Sequence, residues 1–426
     1  MAWIRSSVVE RSVHIGKAAG SIPAGSTKNP MELTKLLLTL TIVSIIPGQL
    51  IRINATQSAV LTVGDISSAI LMAVFFINST NIKKALILPK KIFLPFLIFS
   101  SVAISSTIIA ADIFSPREII IAILFLVRFA LYFGIFIVVV NTVKKKEITK
   151  WLNLFLFTAA IFALIGFFQY IFFPDLTSLA AFGWDPHQKR IVSTLLDPNF
   201  TAGLLAIALS MALSLFLSSK KNIYLLTSTV LFTALILTFS RSGYLALLVV
   251  LATIGILKSP KILFVSLVAF IIAFITIPQV KNRILGALRV DETSQARIES
   301  WQKALVIFRD NPILGVGFNT YRATQAQYGF FPADQPEGGH SGAGTDSSFL
   351  LVLATTGIIG LGAYLAFLFA IFKNFSANIR KSPLSLGTTA AFLGILVHSQ
   401  FVNSLFFPQI IIVLFFLLGA CSVYDS

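Results

Sequence analysis

KNRILGALRVDETSQARIESWQKALVIFRDNPILGVGFNTYRATQAQYGFFPADQPEGGHSGAGTD, residues 281–346, is a polar stretch set into an otherwise near-continuous series of bilayer-length apolar segments. That contrast decides the fold class. Across the chain 56% of residues are hydrophobic and only 12% are charged, and the mean hydropathy is +0.88, far from the averages of a soluble domain. The sequence therefore predicts an all-α, polytopic helical membrane protein in contact with membrane lipids. A formal charge of +16 would suit a nucleic-acid partner if the cations were clustered on one water-exposed face. They sit instead in short connections between apolar runs, so no nucleic acid is expected. The single cysteine, Cys421, lies in the last apolar segment, which excludes an intramolecular disulfide and a cysteine metal cluster.

A helix rises about 1.5 Å per residue and the hydrocarbon layer is ~30 Å thick, so a window of about 19 residues locates the spans. Twelve are expected, at 34–51, 58–79, 92–112, 119–141, 151–173, 199–218, 223–240, 242–257, 261–278, 347–372, 384–404 and 406–422. Lysines and arginines near span ends resist translocation. With the amino terminus inside, the cytoplasmic side collects 20 of the 33 Lys and Arg residues, including Lys144, Lys145, Lys146 and Lys150. The short outer connections hold only Arg52, Arg117, Lys189, Arg190 and Arg241. The expected organisation is a basic cytoplasmic leader (1–33), nine transmembrane helices (34–278), one large extracytoplasmic loop (279–346), then three more helices and a short tail (347–426). The leader lacks the apolar core of a signal peptide and is expected to be disordered. Both termini are expected on the cytoplasmic side of the membrane.

Within the loop, Glu292 to Asp310 has the periodicity of an amphipathic helix, with Ile298, Trp301, Leu305 and Phe308 on one stripe, ended by Asn311 and Pro312. Arg297 and Trp301 are four apart and share a face, with the indole expected at the headgroup boundary. Asp197 and Pro198 suit the N-cap and first position of the sixth span, so its free amides point outward beside Asn199. The tenth span opens on the capping candidates Thr345, Asp346, Ser347 and Ser348. Helix N-termini attract anions. Arg190, Arg241 and Arg297, assigned to the same face, offer planar bidentate donors suited to a pyrophosphate.

These pieces, RIVSTLLDPNFTAGLL (190–205), LTFSRSGYLAL (237–247), RIESWQKALVIFRDNPILGVGFNTYR (297–322) and TDSSFLLVLATTGIIGLGAYL (345–365), resemble in order and spacing the O-antigen ligase and polymerase superfamily. The resemblance implies transfer of a glycan from a polyprenyl-pyrophosphate-linked donor to an acceptor hydroxyl on a glycan, lipid A core or protein. It also implies an extracytoplasmic site that needs no cofactor and no bound metal. Arg190, Arg241 and Arg297 match the family's donor-binding arginines. The match breaks where many ligases carry a His-Asn pair, eleven residues before the first glycine of Gly357-Ile358-Ile359-Gly360; this chain has Asp346-Ser347 there, and His340 in a glycine-rich run upstream. Either can take the acceptor's proton: Asp346 is better placed by register, His340 is better matched in basicity near neutral pH.

Arg128 falls in the middle of the fourth span, where a charge costs roughly 2.5–3.5 kcal/mol on insertion scales, and is assigned to a lipid phosphate or to a buried polar network. His398 reads as a hydrogen-bonded interior residue, and Asp65 as a span-end residue. The competing class is a flippase for the same lipid-linked glycans, which would show internal repeats and midplane charges. No convincing repeat is found.

Overall fold

The computed structural model describes residues 30–54, 60–82, 86–331, 342 and 344–425. Among these are fifteen α-helices: α1 (Pro30–Val43), α2 (Val63–Ile82), α3 (Lys90–Ile109), α4 (Pro116–Thr142), α5 (Ile148–Phe172), α6 (Pro198–Ser219), α7 (Asn222–Ile236), α8 (Arg241–Leu257), α9 (Pro260–Thr276), α10 (Pro278–Leu288), α11 (Glu292–Asp310), α12 (Tyr321–Gln327), α13 (Ser348–Ser376), α14 (Pro383–His398) and α15 (Pro408–Asp425). A short hairpin, β1 (Arg52–Asn54) against β2 (Val60–Thr62), pairs Arg52 with Thr62 and is the departure from an all-helical chain.

The helices stand where apolar runs and start signals put them. Proline occupies the first turn of α4, α6, α9, α10 and α14, where its missing N–H would have no intrahelical partner. Ser115 and Glu118 close a capping box on α4, and Asp197, Ser240, Asp291 and Ser347 cap α6, α8, α11 and α13. The twelve apolar helices α1–α9 and α13–α15 overlap the twelve expected spans. Length and composition alone qualify six of them as crossings, namely α2–α6 and α13, and α9 with α10 would be a seventh if one span can bend by 97° at Ile277. The helices α7, α8, α14 and α15 are shorter. The chain is a polytopic helical membrane protein.

α6 is the hub, with every side chain from Thr201 to Leu215 buried. It packs against α7, α8 and α14, and its hydroxyls satisfy carbonyls of α14, Ser210 Oγ donating to Gly387 O at 2.7 Å. A second core joins α3, α4, α13 and α15 through stacked rings, Phe96 on Phe133 at 3.8 Å between centroids, with Phe367 and Phe415 edge-on to Phe133.

The segment that follows α11, residues 311–317, is held by a break in α13. Gly357 adopts φ +65° inside that helix, which frees the carbonyls of Ala354 and Thr355 to accept from Val316 N at 3.2 Å and Gly317 N at 2.9 Å. In return Ile358 N donates to Pro312 O at 2.9 Å. The fit admits only glycine: a Cβ on Gly357 would stand 2.2 Å from Ile313 O, and one on Gly315, itself at φ +67°, 2.4 Å from Thr355 C. This clasp fixes the end of α11 against the membrane helices, and so sets where Arg297 and Trp301 can be.

Candidate active site

α11 carries Arg297, Ser300 and Trp301 at spacings of three and four, hence on one face. That face grips Asp346. Its backbone N–H donates to Ser300 Oγ at 3.1 Å, and its carbonyl accepts from Trp301 Nε1 at 3.1 Å. The indole edge, expected at the headgroup boundary, is thus directed at Asp346, because an indole N–H that is partly buried needs an acceptor. Ser347, not Asp346, caps α13. Asp346 is released from a capping role, and its carboxylate has no hydrogen-bond partner among the described residues. Burial raises its pKa to about 6, against the pull of Arg297 and with a small push from Asp197 and Asp185. His340 lies outside the described residues.

The expected arginines cluster, in different roles. Arg190 donates from Nε to Thr238 O at 2.9 Å and from Nη2 to Phe239 O at 3.1 Å, fastening the turn before α8. Burial, then the charges of Arg283 and Arg297, pull it down to about 10 against the attraction of Asp197 and Tyr244, so it stays charged at neutral pH. Arg241 is committed to the protein. Its Nε donates to Arg283 O at 2.7 Å, its Nη1 to Asp291 Oδ1 at 2.8 Å and Ser294 Oγ at 3.0 Å, and its Nη2 to Asp291 Oδ2. It works as a pin joining α8 to α10 and α11. Arg297 makes no hydrogen bond or ion pair among the described residues; burial lowers its pKa while Asp346 holds it up.

Sequence reasoning missed Arg283. It stands on α10, its carbonyl is held by Arg241, and its guanidinium likewise has no hydrogen bond among the described residues. Burial and Arg241 lower its pKa. Half-buried guanidiniums without hydrogen bonds among the described residues, Arg297 near Asp346 and both near Arg190, are costly to fold, which is the pattern expected where a ligand completes the pairing.

Asp291→Asn should unfasten the Arg241 pin. The carboxyl of Asp291 is held well below its usual range, first by the hydrogen bond from Arg241. Its folded pKa is depressed, so the contribution is present above the ordinary aspartate range near pH 4 and lost below it. At a third exposed, the pair is worth about 1 kcal/mol after solvent screening. The variant should melt a few degrees below the parent at pH 7 and match it in acid, read by thermal unfolding in detergent.

Asn199 accepts from Ser240 Oγ at 2.7 Å, tying the start of α6 to that of α8, while its amide nitrogen has no hydrogen bond among the described residues. A cavity of about 610 Å³ is lined by Asp197, Asn199, Ser300, Asp346 and Arg128 among others; Arg297 stands behind that lining, near Asp346 and Asp197. Arg128 belongs to a buried network, donating to both oxygens of Asp65 at 2.5 and 2.8 Å and to Tyr132 Oη at 2.9 Å. Asp65, read as a span-end residue, is that partner. His398 is fully buried on Ser404 Oγ at 2.5 Å. One ligand atom each of Asp185, His187 and Asp197 lies within 4.8 Å of the others, but Asp197 Oδ1 is occupied by the amides of Asn199 and Phe200. Arg190 and Arg283 beside His187 oppose a dication there.

No curated protein matches the chain. A protein-family model described as O-antigen ligase matches residues 226–365, the stretch that holds Arg241, Arg283, Arg297, Asp346 and the Gly357 break. The match agrees with a glycosyl-transferring enzyme of a multi-pass bacterial membrane protein family, whose members use lipid-linked glycan donors and glycan or lipid A core acceptors, and it lends no support to a flippase. Across those residues the chain is similar to the O-antigen ligase family.

Proposed function

We propose that this chain is a ligase or polymerase moving a glycan from a polyprenyl-pyrophosphate donor to an acceptor hydroxyl. In this reading twelve spans cross the cytoplasmic membrane, both termini lie inside, and residues 279–346 form the site on the outer face. The observation that carries it is Arg297 facing the Asp346 carboxylate, neither with a hydrogen bond among the described residues, with Arg283 and Arg297 both near Arg190.

The acceptor oxygen attacks C1 of the donor sugar, its proton passes to the Asp346 carboxylate, and the C1–O bond breaks with its electron pair on the pyrophosphate. A phosphate leaving group needs its developing charge held more than it needs protonation, and preorganised arginines supply that. Arg190 adds positive potential behind them, and Arg241 holds Arg283 in place. Because guanidiniums neutralise the diphosphate, the reaction is proposed to run without a divalent metal.

Purified protein given polyprenyl-pyrophosphate glycan and a hydroxyl acceptor, with a chelator present, should release polyprenyl pyrophosphate and form a new glycosidic bond. Movement of the intact donor between leaflets without a new bond would overturn this reading in favour of a flippase.

A further inference from the structure

A second cavity, of about 580 Å³, opens beside the first between α4, α12, α13 and the segment leading into α15. The two share a wall that includes Phe125, Arg128, Arg322, Asn403 and Phe406. Its size suits a small oligosaccharide or similar ligand. Among the described lining residues the charged ones are Arg117, Arg128, Arg322 and Glu118. Glu118 is committed to the α4 capping box, its Oε2 accepting from Ser115 N at 2.8 Å and Ser115 Oγ at 2.7 Å.

The Arg128 network is oriented toward this space. Asp65 is fixed by Thr62 N and Thr62 Oγ1, both donating to its Oδ2 at 2.7 Å, and it takes the Nε and Nη2 side of the guanidinium. Nη1 has no hydrogen bond among the described residues. Asp65 lines neither cavity, whereas Arg128 lines both. A purely structural ion pair would have no reason to face its cation into two cavities while hiding its anion. The rest of the wall mixes polar residues such as Asn319, Thr320 and Thr355 with the aromatic residues Phe129, Phe318 and Phe331, whose rings suit sugar C–H groups.

We propose that this second cavity is the acceptor subsite and that it is built for an acidic sugar, one bearing a carboxylate or phosphate that Arg128 and Arg322 bind at the wall between the cavities. The inference rests on the glycosyl-transfer reading for the word acceptor. Asp346 lies in the first cavity and not the second, so an acid group held at the shared wall lets the neighbouring hydroxyl reach Asp346 while the diphosphate stays with Arg283 and Arg297.

Binding tests it independently of turnover. A uronic-acid oligosaccharide and its carboxyl-reduced, neutral counterpart would be titrated calorimetrically against the full chain in neutral-lipid nanodiscs. The acidic form should bind at least tenfold more tightly, with affinity falling as salt rises. Arg322→Gln should remove most of that preference. So should the double change Arg128→Gln with Asp65→Asn, which avoids stranding a buried carboxylate. Equal affinity of the parent for the two sugars would overturn the proposal. So would preference for the acidic sugar persisting in both variants. Nanodiscs of anionic phospholipid distinguish the other source of the same chemistry: if they abolish sugar binding at bilayer concentrations, the cavity holds a lipid headgroup and the acceptor assignment is wrong. Failure of the glycosyl-transfer reading would show separately, as absence of product with a sugar that does bind.

Discussion

Asp346→Asn is expected to lower turnover by about 10²–10⁴-fold, the range for loss of a general base, without unfolding the protein. The isosteric amide keeps the backbone bonds to Ser300 and Trp301 but cannot take a proton. The sign of the stability change follows from the pKa. Burial raises the carboxyl to about 6, above its unfolded value, so the stabilising share of the protonated form is complete below about pH 4 and is lost as pH rises through 6. At pH 7 the parent therefore carries an ionised, partly buried carboxylate whose removal is worth roughly 1 kcal/mol after solvent screening. The variant should melt at or above the parent temperature at pH 7 and at the same temperature near pH 4. Parent activity should rise between pH 5 and 7 and then level off, because only the ionised form is a base. A variant with near-parental turnover, or a parental profile flat across pH 6, would move the base elsewhere, with His340 the next candidate.

What could be read from the chain before its structure depended on how local each signal was. The α11 helix spans Glu292–Asp310, the residues whose apolar stripe and Asn311-Pro312 stop announce it, because both its amphipathic face and its end are written within one segment. Asp197 and Pro198 likewise announce the start of α6 locally. The partners were not legible. Arg241 meets Asp291 fifty residues away, and only the 97° turn at Ile277 that swings α10 back toward α8 makes that contact possible. The same turn brings in Arg283, whose sole sequence signal was a cation shortly after Ile277-Pro278 at the start of the polar stretch. At α13 the decisive feature is a backbone break rather than a residue pattern. Counting back from Gly357 found Asp346, but nothing in the count could show that Gly357 breaks the helix, or that Ser347 takes the cap and leaves the Asp346 carboxylate unpaired. For Arg128, composition priced the charge but could not name Asp65, which lies 63 residues earlier.

Arg297→Ala is expected to reduce transfer by about 10²–10³-fold, the usual consequence of removing one preorganised stabiliser of developing negative charge. The loss should fall on the rate with bound donor more than on donor binding, because charge on the leaving pyrophosphate grows as the C1–O bond breaks. Arg297→Lys keeps the charge but not the planar pair of donors, and should recover only part of the rate. Arg283→Ala should behave like Arg297→Ala, whereas an Arg241 variant should lose activity together with thermal stability, since Arg241 is consumed by Asp291, Ser294 and the Arg283 carbonyl. A further consequence separates Arg297 from a merely structural residue. It is the largest influence holding the Asp346 pKa down against burial, so its removal should push that carboxyl further up, and the acid limb of whatever activity remains should move above pH 6. Loss of rate with an unmoved pH limb would mean that Arg297 and Asp346 do not share a site. Unchanged rate in both Arg283→Ala and Arg297→Ala would mean that the diphosphate is held elsewhere.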